Sequence, residues 1–595
     1  MEPVDTGSAA KAWLRALELT APIARNRDRV ISTVIEDLAE RSGNAPALLS
    51  DRESLTYAGL TARQNQYARW ALDQGLHKSD VVCLLMTNRP EYFAIWLGIS
   101  SVGCVAALLN TNLTGPSLSH CINVVQPRRI IVAAELVEAL TTALPGLTER
   151  PEVWVHGTDH NVFPRIDYEI DRQSDEKLSP EERRHTVIED RALCIFTSGT
   201  TGLPKAANVS HARIMQWSNW FAGMLGAQPD DRMYNCLPMY HSIGGVLVPG
   251  ATLVGGGSVV IRDKFSASQF WSDILRWDCT MFQYIGELCR YLLLTTSPAD
   301  ASGHRIRTAC GNGMAPEVWE TFKDRFSIPR ILEFYASTEG GVSLFNVEGK
   351  PGAIGRIPPY LVHRFSPALV QFDVDRGEPV RNEKGLCVRC APNETGEALG
   401  KIVDDPSAIG SRYEGYTDNS ASERKILRNV FAPGDSWVRT GDLMRKDQKG
   451  FYYFVDRIGD TFRWKGENVA ASEVSEAICA FPGVQHAQVY GVAIASTEGR
   501  AGMAALVADE NIDLEALRKH ITTRLPSYAR PVFLRFSNDL EVTGTFKYSK
   551  TDLARQGYDP SATTDRIYFN NPESETFTEL TRTLYDGIQA GQFRL

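Results

Sequence analysis

The stretch Leu193-Cys-Ile-Phe-Thr-Ser-Gly-Thr-Thr-Gly-Leu-Pro-Lys205 leads an apolar strand into a loop of hydroxyl residues, glycines and one lysine. Ala206–Val209 is apolar again, which predicts a second strand after the loop. Glycines let backbone N–H groups approach phosphate oxygens, while hydroxyls and the lysine ammonium add donors and charge. A hairpin turn alone needs far fewer such residues. The loop therefore predicts a phosphate-binding site.

This loop differs from the P-loop of many nucleotide-binding proteins. Leu203 and Pro204 separate Gly202 from Lys205, and a strand rather than a helix follows. The helix dipole that binds phosphate in P-loop proteins is therefore not available here. The candidate phosphate-binding residues are Thr197, Ser198, Gly199, Thr200, Thr201, Gly202 and Lys205.

Short apolar runs alternate with helical patterns on both sides of the loop, which is typical of α/β layers with largely parallel sheets. We expect a large multi-layered N-terminal domain whose sheets are flanked by helices. The predicted strands are Val81–Met86, Arg129–Ala133, Leu193–Thr197, Ser258–Ile261 and Ile331–Tyr335. The predicted helices are Ala62–Gln74, Pro90–Ser101, His211–Leu225 and Pro316–Phe326.

The pattern changes after the strand-like run Phe451–Val455, which ends in Asp456-Arg-Ile-Gly-Asp460. A compact α/β pattern follows, and it predicts a small, mobile C-terminal α+β domain. We place the N-terminal domain at residues 1–456, a hinge at 457–460 and the small domain at 461–595. Gly459 suits a hinge because glycine has no Cβ to restrict the backbone.

Composition excludes several classes of protein. The 595 residues are 43% hydrophobic and 23% charged, which predicts a folded chain, and the net charge of −9 argues against nucleic-acid binding. Cys387 and Cys390 lack the second pair of a zinc site, so ordinary thiols are favoured over a redox pair. No signal peptide is recognised, and the apolar run Ala94–Leu109 is shorter than the ~20 residues of a spanning helix. We expect a buried helix running into a strand, in a soluble, cytoplasmic protein.

Six motifs follow the loop in order, and with it they resemble the signature of the adenylate-forming superfamily of acyl-CoA synthetases, adenylation domains and luciferases. They are Leu237-Pro-Met-Tyr-His241, Gly311-Asn-Gly313, Tyr335-Ala-Ser-Thr-Glu339, Trp437-Val-Arg-Thr-Gly-Asp442, Asp456-Arg-Ile-Gly-Asp460 and Thr543-Gly-Thr-Phe-Lys547. The resemblance is closest to the fatty acid transport protein and very-long-chain acyl-CoA synthetase group. The stretches that carry this closer resemblance are Gln283–Tyr291, Gly459–Asn468 and Leu584–Ile588.

Two positions depart from the superfamily pattern. Gly459 stands where the hinge usually has Asp or Lys, and Phe546-Lys547 replaces the usual Gly-Lys pair. Both resemble features of the transport-protein group. Membrane-bound members often begin with an apolar anchor, which we do not recognise here. Peripheral contact with the inner face of a membrane is left open, as are the oligomeric state and chain-length preference.

The resemblance implies a ligase that uses ATP, Mg²⁺ and CoA in two steps. A fatty-acid carboxylate attacks the α-phosphate of ATP, and the CoA thiol then displaces AMP from the acyl-adenylate. Such chemistry needs positioning and charge neutralisation. The small domain would present Lys547 for the first step and rotate about Gly459 for the second.

The resemblance also assigns roles to single residues. Thr338 would contact the α-phosphate, Glu339 would hold Mg²⁺, Lys547 would neutralise the reacting centre and His241 would orient the carboxylate or close the acyl site. The adenine and ribose contacts would be Gly311, Asn312, Gly313, Tyr335, Asp442 and Arg457. The CoA-facing residues would be Arg463, Trp464, Lys465 and Gly466. The acyl pocket would include Tyr240, Gly244, Gly245, Tyr284 and Gly286, with Trp217 and Trp220 lining or gating it.

Three other functions remain open at this point. In the first, the acid is aromatic, sterol-derived or polyketide-like. In the second, a carrier protein replaces CoA, although the stretch after Lys547 is too short to include a carrier domain. A fatty-acid uptake factor that acts by vectorial acylation is the third alternative.

Overall fold

The computed structural model describes residues 8–159, 162–197, 204–362, 364–365, 367–374, 376–403, 412–464, 467–494, 499–537 and 550–593. The chain divides into two compact units. The first comprises Met1–Ser366, Gly400–Arg428 and Ser436–Val438, and the second comprises Pro367–Leu399, Asn429–Asp435 and Arg439–Leu595.

Strands and helices alternate through the first 350 residues, as expected for an α/β protein. The strands are β1 (Pro46–Leu49), β2 (Ser54–Thr56), β3 (Val81–Leu85), β4 (Val105–Leu108), β5 (Arg129–Ala133), β6 (Glu152–His156), β7 (Arg191–Thr197), β8 (Lys205–Ser210), β9 (Arg232–Asn235), β10 (Ser258–Ile261), β11 (Met281–Ile285), β12 (Thr308–Asn312), β13 (Ile331–Ala336), β14 (Ser343–Asn346) and β15 (Gly355–Arg356). The helices are α1 (Ala9–Thr20), α2 (Ile31–Ser42), α3 (Tyr57–Asp73), α4 (Pro90–Ser101), α5 (Gly115–Val125), α6 (Val137–Ala143), α7 (Ile166–Ile170), α8 (His211–Leu225), α9 (Val248–Val254), α10 (Phe270–Arg276), α11 (Gly286–Thr295) and α12 (Pro316–Arg325).

The remaining elements are mostly strands. They are β16 (Pro367–Asp373), β17 (Glu378–Pro379), β18 (Thr395–Lys401), β19 (Ile426–Arg428), β20 (Ser436–Lys446), β21 (Phe451–Arg457), β22 (Phe462–Trp464), β23 (Glu467–Val469), β24 (Val484–Val492), β25 (Ala501–Ala508), β26 (Phe533–Phe536), β27 (Arg566–Asn571) and β28 (Thr576–Glu579). The helices are α13 (Asn419–Glu423), α14 (Ala471–Cys479), α15 (Leu514–Arg524), α16 (Lys550–Gln556) and α17 (Arg582–Gln589).

Two sheets organise the first unit. One has the strand order β14-β13-β12-β11-β9-β10-β1-β2 and the other β6-β5-β3-β4-β7-β8. Inner neighbours pair in parallel, as in β11–β12 and β12–β13. β7 and β8 are antiparallel, with Thr197 opposite Lys205, which confirms the predicted strand, loop and strand. The carboxyl ends of parallel strands meet at one edge, where α/β proteins commonly bind ligands.

Helix α4 shows why the long apolar run does not indicate a membrane segment. All its residues from Pro90 to Ser101 are buried, and β4 follows after a short turn. The predicted buried helix running into a strand is therefore confirmed. No helix in the described part of the chain is both long and apolar enough to cross a membrane.

In the second unit, one sheet has the order β17-β16-β18-β20-β21 and another β24-β25-β26-β27-β28, and β22 pairs with β23. The compact α/β pattern predicted after Asp460 appears as α14, β24, β25 and α15. The expected hinge lies within this unit, because β21 continues to Arg457 in register with Asp442 of β20. The boundary at 457–460 stays a prediction.

Helices α1 and α8 pack so closely that one position excludes a side chain. A Cβ on Gly223 of α8 would lie 2.4 Å from the backbone N and Cα of Ala16 on α1. Trp13, one turn before Ala16, packs edge-on against Trp220 of α8, with ring centroids 5.7 Å apart. The contact anchors α1 in the main core of the first unit.

Gly223→Ala should therefore destabilise the first unit by about 1–3 kcal/mol, because the clash is with backbone atoms that cannot rotate away. The expected result is a lower midpoint of thermal unfolding, measured by calorimetry. Gly59→Ala in α3 is the matched control. Its Cβ would make ordinary contacts at 3.5 Å and 3.7 Å, and alanine favours a helix. Equal midpoints for the two variants would contradict this account of the α1–α8 contact.

Candidate functional site

The base of the predicted phosphate loop is held by the β7–β8 hairpin. Thr197 ends β7 and Lys205 begins β8, and the two face each other in the hairpin register. Ser198, Gly199, Thr200, Thr201 and Gly202 lie outside the described residues.

Tyr416 joins this hairpin to the Glu339 turn. The Lys205 Nζ lies 5.7 Å from the centre of the Tyr416 ring, within range of a cation–π interaction. The Tyr416 hydroxyl donates a hydrogen bond of 2.7 Å to Glu339 Oε1, and Thr197 also hydrogen-bonds Tyr416. Burial and the nearby Glu339 carboxylate raise the pKa of Tyr416, so the phenol stays neutral and remains a donor. Tyr416, which the sequence analysis did not predict, therefore links three residues that it did predict, namely Thr197, Lys205 and Glu339.

Arg213 is a second residue that the motifs do not include. Its side chain is 1% exposed and donates to the Thr338 carbonyl at 2.7 Å and to the Arg412 carbonyl. Its Nε lies 3.4 Å from Glu414 Oε1, and that carboxylate also accepts from Ser210 N and Oγ. One buried guanidinium thus fixes the turn that carries Thr338 and Glu339.

Gly340 explains how Arg213 reaches this turn. Its φ of +93° favours glycine, and a Cβ there would meet the Arg213 guanidinium at 2.6 Å. The Glu414 N–H donates to the Glu339 carbonyl at 3.1 Å, which adds a backbone tie between the two segments.

Thr338 also approaches the predicted histidine motif. The hydroxyls of Thr338 and Ser242 are 3.2 Å apart, and Ser242 follows His241 directly. The rings of His241 and Tyr240 lie 4.5 Å apart, and the Tyr240 hydroxyl accepts from Asn112 Nδ2 at 3.2 Å. The structure therefore places the His241 motif beside the Thr338–Glu339 turn.

Glu333 supports the predicted adenine strand end, and sequence reasoning missed it. Tyr284, Gly311 and Glu333 occupy one row across β11, β12 and β13. A Cβ on Gly311 would meet the Tyr284 ring at 2.7 Å, so the missing side chain lets the Tyr284 hydroxyl donate to Glu333 two strands away. The other carboxylate oxygen accepts from the N–H groups of Gly313 and Met314.

This row lies directly below Tyr335. Alternate residues of a strand share a face, so Glu333 and Tyr335 of β13 point to the same side of the sheet. Tyr284 is fully buried and bonded to Glu333, which gives it a role in supporting Gly311–Gly313 rather than an open acyl pocket. Asn312, at the end of β12, is half-buried.

Two of the glycines expected in the acyl pocket, Gly244 and Gly245, pack against neighbouring backbone and leave no room for a side chain. A Cβ on Gly245 would lie 1.8 Å from the Met239 carbonyl oxygen, and one on Gly244 would lie 2.5 Å from that of Pro238. Both glycines belong to a π-helical turn, Ile243–Leu247, and Gly286 begins α11. Their role in lining an acyl pocket stays a prediction.

The predicted tryptophan gate is not supported by the packing of Trp220. Its ring packs against Trp13, Phe345 and Phe365 in the core. Trp217 is partly buried, and the Arg213 guanidinium lies 5.8 Å from its ring centre.

In the second unit, the predicted ribose residues form a pair. Asp442 and Arg457 face each other across β20 and β21, with Nε 3.6 Å from Oδ1. The Asp442 N–H donates to Thr440 Oγ1 at 3.1 Å. Gly459 has a φ of +99°, with no heavy atom within 4 Å of where a Cβ would stand.

The predicted CoA-facing residues differ in exposure. Arg463 is exposed on β22, whereas the Trp464 side chain is 2% exposed and belongs to the core of the second unit. Trp464 therefore packs the domain, because alternate residues of a strand face opposite sides. Lys465, Gly466 and Lys547 lie outside the described residues.

Comparison with known proteins identifies the family. A model of the AMP-binding enzyme matches residues 35–393, and a model of its C-terminal domain matches residues 473–547. The chain belongs to the AMP-binding enzyme family. Long-chain fatty acid transport protein 6 of Mus musculus is 38% identical to it, over 95% of this chain and 91% of that protein.

Solved structures show the same fold for this family member. The anthranilate CoA ligase AuaEII has a TM-score of 0.75 at 20% identity and covers 88% of this chain and 96% of its own. The Mycobacterium tuberculosis fatty acyl CoA synthetase has a TM-score of 0.60 at 22% identity, with 89% and 99% covered. The mixed α/β fold predicted from the sequence is thereby confirmed. The family's fold is that of AMP-forming acid–CoA ligases, which use ATP, Mg²⁺ and CoA.

The donor set of this AMP-binding enzyme fits magnesium carried by a nucleotide. In the described ranges, no group of three or more His, Cys, Asp or Glu side chains is placed to hold a metal ion. Mg²⁺ commonly binds through one or two carboxylates together with substrate phosphates and water. Glu339, 8% exposed and fixed by Tyr416, would be such a carboxylate.

Glu333 gives a pH-dependent prediction for stability. Burial raises the pKa of Glu333 from 4.5 to about 8, although hydrogen bonds from Tyr284, Met314 and Gly313 oppose the shift. The unfolded chain therefore loses this proton at a lower pH than the folded chain does. The free energy of unfolding should fall as pH rises from the ordinary pKa of 4.5 to the raised pKa of about 8.

Glu333→Gln cannot ionise and should remove this part of the pH dependence. We expect the unfolding temperature of the variant to rise relative to that of the wild type as pH increases. The difference should be largest above about pH 8. Differential scanning calorimetry across this range measures the effect. Glu348→Gln, which alters a partly exposed pair with Arg356, is the control. Parallel profiles for the wild type and Glu333→Gln would contradict the assignment.

Proposed function

We propose that the chain activates a long- or very-long-chain fatty acid to its acyl-CoA through an acyl-adenylate, releasing AMP and pyrophosphate. The observation that carries this proposal is the cluster of Lys205, Tyr416 and Glu339 beside Thr338. A lysine over the ring of one tyrosine and a carboxylate held by its hydroxyl provide opposite charges for phosphate and metal.

In the first step, the chain's residues position the reactants and neutralise charge. Lys205 would bind the β- and γ-phosphates, and Glu339 would hold the metal that accompanies them. Thr338 would donate to the α-phosphate, while Lys547 would neutralise the charge that gathers as the carboxylate attacks. His241 would orient that carboxylate. Arg213 supports the step indirectly, because it fixes the carbonyl of Thr338.

The nucleoside end of ATP would use two further sets of residues. Gly311–Gly313 and Tyr335 would contact adenine, with Glu333 and Tyr284 keeping the Gly313 turn in place. Asp442 and Arg457 would contact the ribose. In the second step, Arg463, Lys465 and Gly466 would face CoA as its thiol displaces AMP.

The choice of a fatty acid rests on relatedness. The relative that is 38% identical is named for long-chain fatty acids. The anthranilate ligase is only 20% identical and supports the fold without supporting its substrate. An aromatic or sterol-derived acid is therefore the second choice.

A fatty-acid uptake factor is the alternative that the relatives' names favour, since they include the word transport. Ligation alone would produce net uptake, because conversion to acyl-CoA traps an acid inside the cell. Transport without ligation would require the two activities to be separable by mutation.

The acid preference can be measured by pyrophosphate release with ATP, Mg²⁺ and CoA. We expect kcat/KM for palmitate and for a very-long-chain saturated acid to exceed that for anthranilate or cholate by about tenfold or more, because a matching pocket contributes binding energy along the whole chain. ATP–pyrophosphate exchange without CoA checks that an adenylate forms. Turnover confined to aromatic acids would contradict the substrate assignment.

Glu339→Gln should lower kcat on the order of a hundredfold or more, because the amide binds Mg²⁺ far more weakly than a carboxylate does. The matched control is Glu348→Gln, a nearby partly exposed carboxylate paired with Arg356. Fatty-acid uptake by cells expressing each variant should fall with ligase activity. Full uptake by an inactive Glu339→Gln protein would instead support a separate transport function.

A further inference from the structure

Lys425 is a charged side chain beside the metal-binding carboxylate that none of the recognised motifs contains. It lies between α13 and β19, and its Nζ is 3.9 Å from Glu339 Oε1. The same oxygen accepts the hydrogen bond from Tyr416. The Lys425 side chain is 25% exposed, whereas Glu339 is largely buried, so solvent reaches the ammonium without fully screening its interaction with the carboxylate.

Two ammonium groups therefore approach one tyrosine–carboxylate pair. Lys205 lies over the ring of Tyr416, and Lys425 lies at the carboxylate that Tyr416 holds. A triphosphate carries several negative charges along its length, and lysine binds phosphate as a point charge. A polyanion bound at Lys205 with its metal at Glu339 would have its phosphates on the side of the carboxylate that Lys425 approaches.

The neighbouring cations do not share this placement. Arg424 pairs with Asp418 at 3.8 Å, and Arg428 pairs with Glu423 at 2.9 Å, and all four side chains are largely exposed. Exposed pairs of this kind contribute little to binding or stability. Arg424 therefore provides a control that removes one positive charge from the adjacent position in the sequence.

We propose that Lys425 is a second polyphosphate-binding cation of this site. Before the metal–nucleotide complex binds, it neutralises Glu339. With Mg²⁺ held by that carboxylate, the Lys425 ammonium would contact the β- or γ-phosphate. The inference rests on the proposed function, because it takes Lys205 and Glu339 as the phosphate and metal groups.

Equilibrium binding without acid or CoA tests the inference. Isothermal titration calorimetry on the full chain with Mg²⁺ would compare ATP, pyrophosphate and AMP. Lys425→Ala should weaken ATP and pyrophosphate binding about tenfold, the size expected for losing one charge-assisted contact. AMP lacks the β- and γ-phosphates, so its affinity should change less than about twofold. Lys425→Arg should retain most of the affinity, and Arg424→Ala should match the wild type.

The outcomes separate this inference from the proposed function. Equal weakening of AMP and ATP, or no change in either, would overturn the role of Lys425. No ATP binding by the wild type would instead overturn the proposed function. Thermal unfolding of each variant identifies misfolding. If Lys425→Ala misfolds, Lys425→Gln provides the same comparison. An equal change in affinity for ATP and for AMP, each measured against the wild type, would again reject the inference.

Discussion

The hydrogen bond from Tyr416 to Glu339 is the contact on which the proposed nucleotide site depends. It joins a turn after β13 to a segment almost eighty positions later in the chain. Burial keeps the phenol neutral, so it can only donate to the carboxylate and never repels it. The carboxylate is thereby fixed in place, and this would remove an ordering cost from the proposed binding of a metal. Arg213 fixes the backbone of the same turn from the other side.

A second constraint comes from the spacing of parallel strands. Neighbouring strands lie roughly 4.8 Å apart, so side chains on next-but-one strands normally cannot meet. Gly311 removes the intervening side chain and lets Tyr284 reach Glu333. A glycine expected to approach the nucleotide therefore also serves the sheet beneath it.

The sequence predicted local structure more successfully than it predicted contacts between distant segments. Helix α4 begins and ends where predicted, because Pro90 fixes its first turn and its apolar residues continue to Ser101. Tyr416 and Glu333 were missed for two reasons. Both act through contacts with residues that are distant in the sequence, and neither lies within a recognised motif. For Trp464 the sequence predicted a ligand contact that the structure does not show. Its motif suggested a ligand-facing residue, but strand alternation turns the ring into the core, which is where large aromatic residues are most stabilising.

The close contact of α1 with α8 has a consequence for the chain's amino-terminal end. Helix α1 precedes every strand of the α/β core, yet Trp13 and Ala16 are buried as deeply as residues of the central strands. A protein shortened to begin after Thr20 would expose the faces of Trp220 and Gly223 that α1 covers. Large exposed apolar surfaces promote association. The first helix therefore protects the solubility of the first unit, although it carries none of the residues assigned to chemistry.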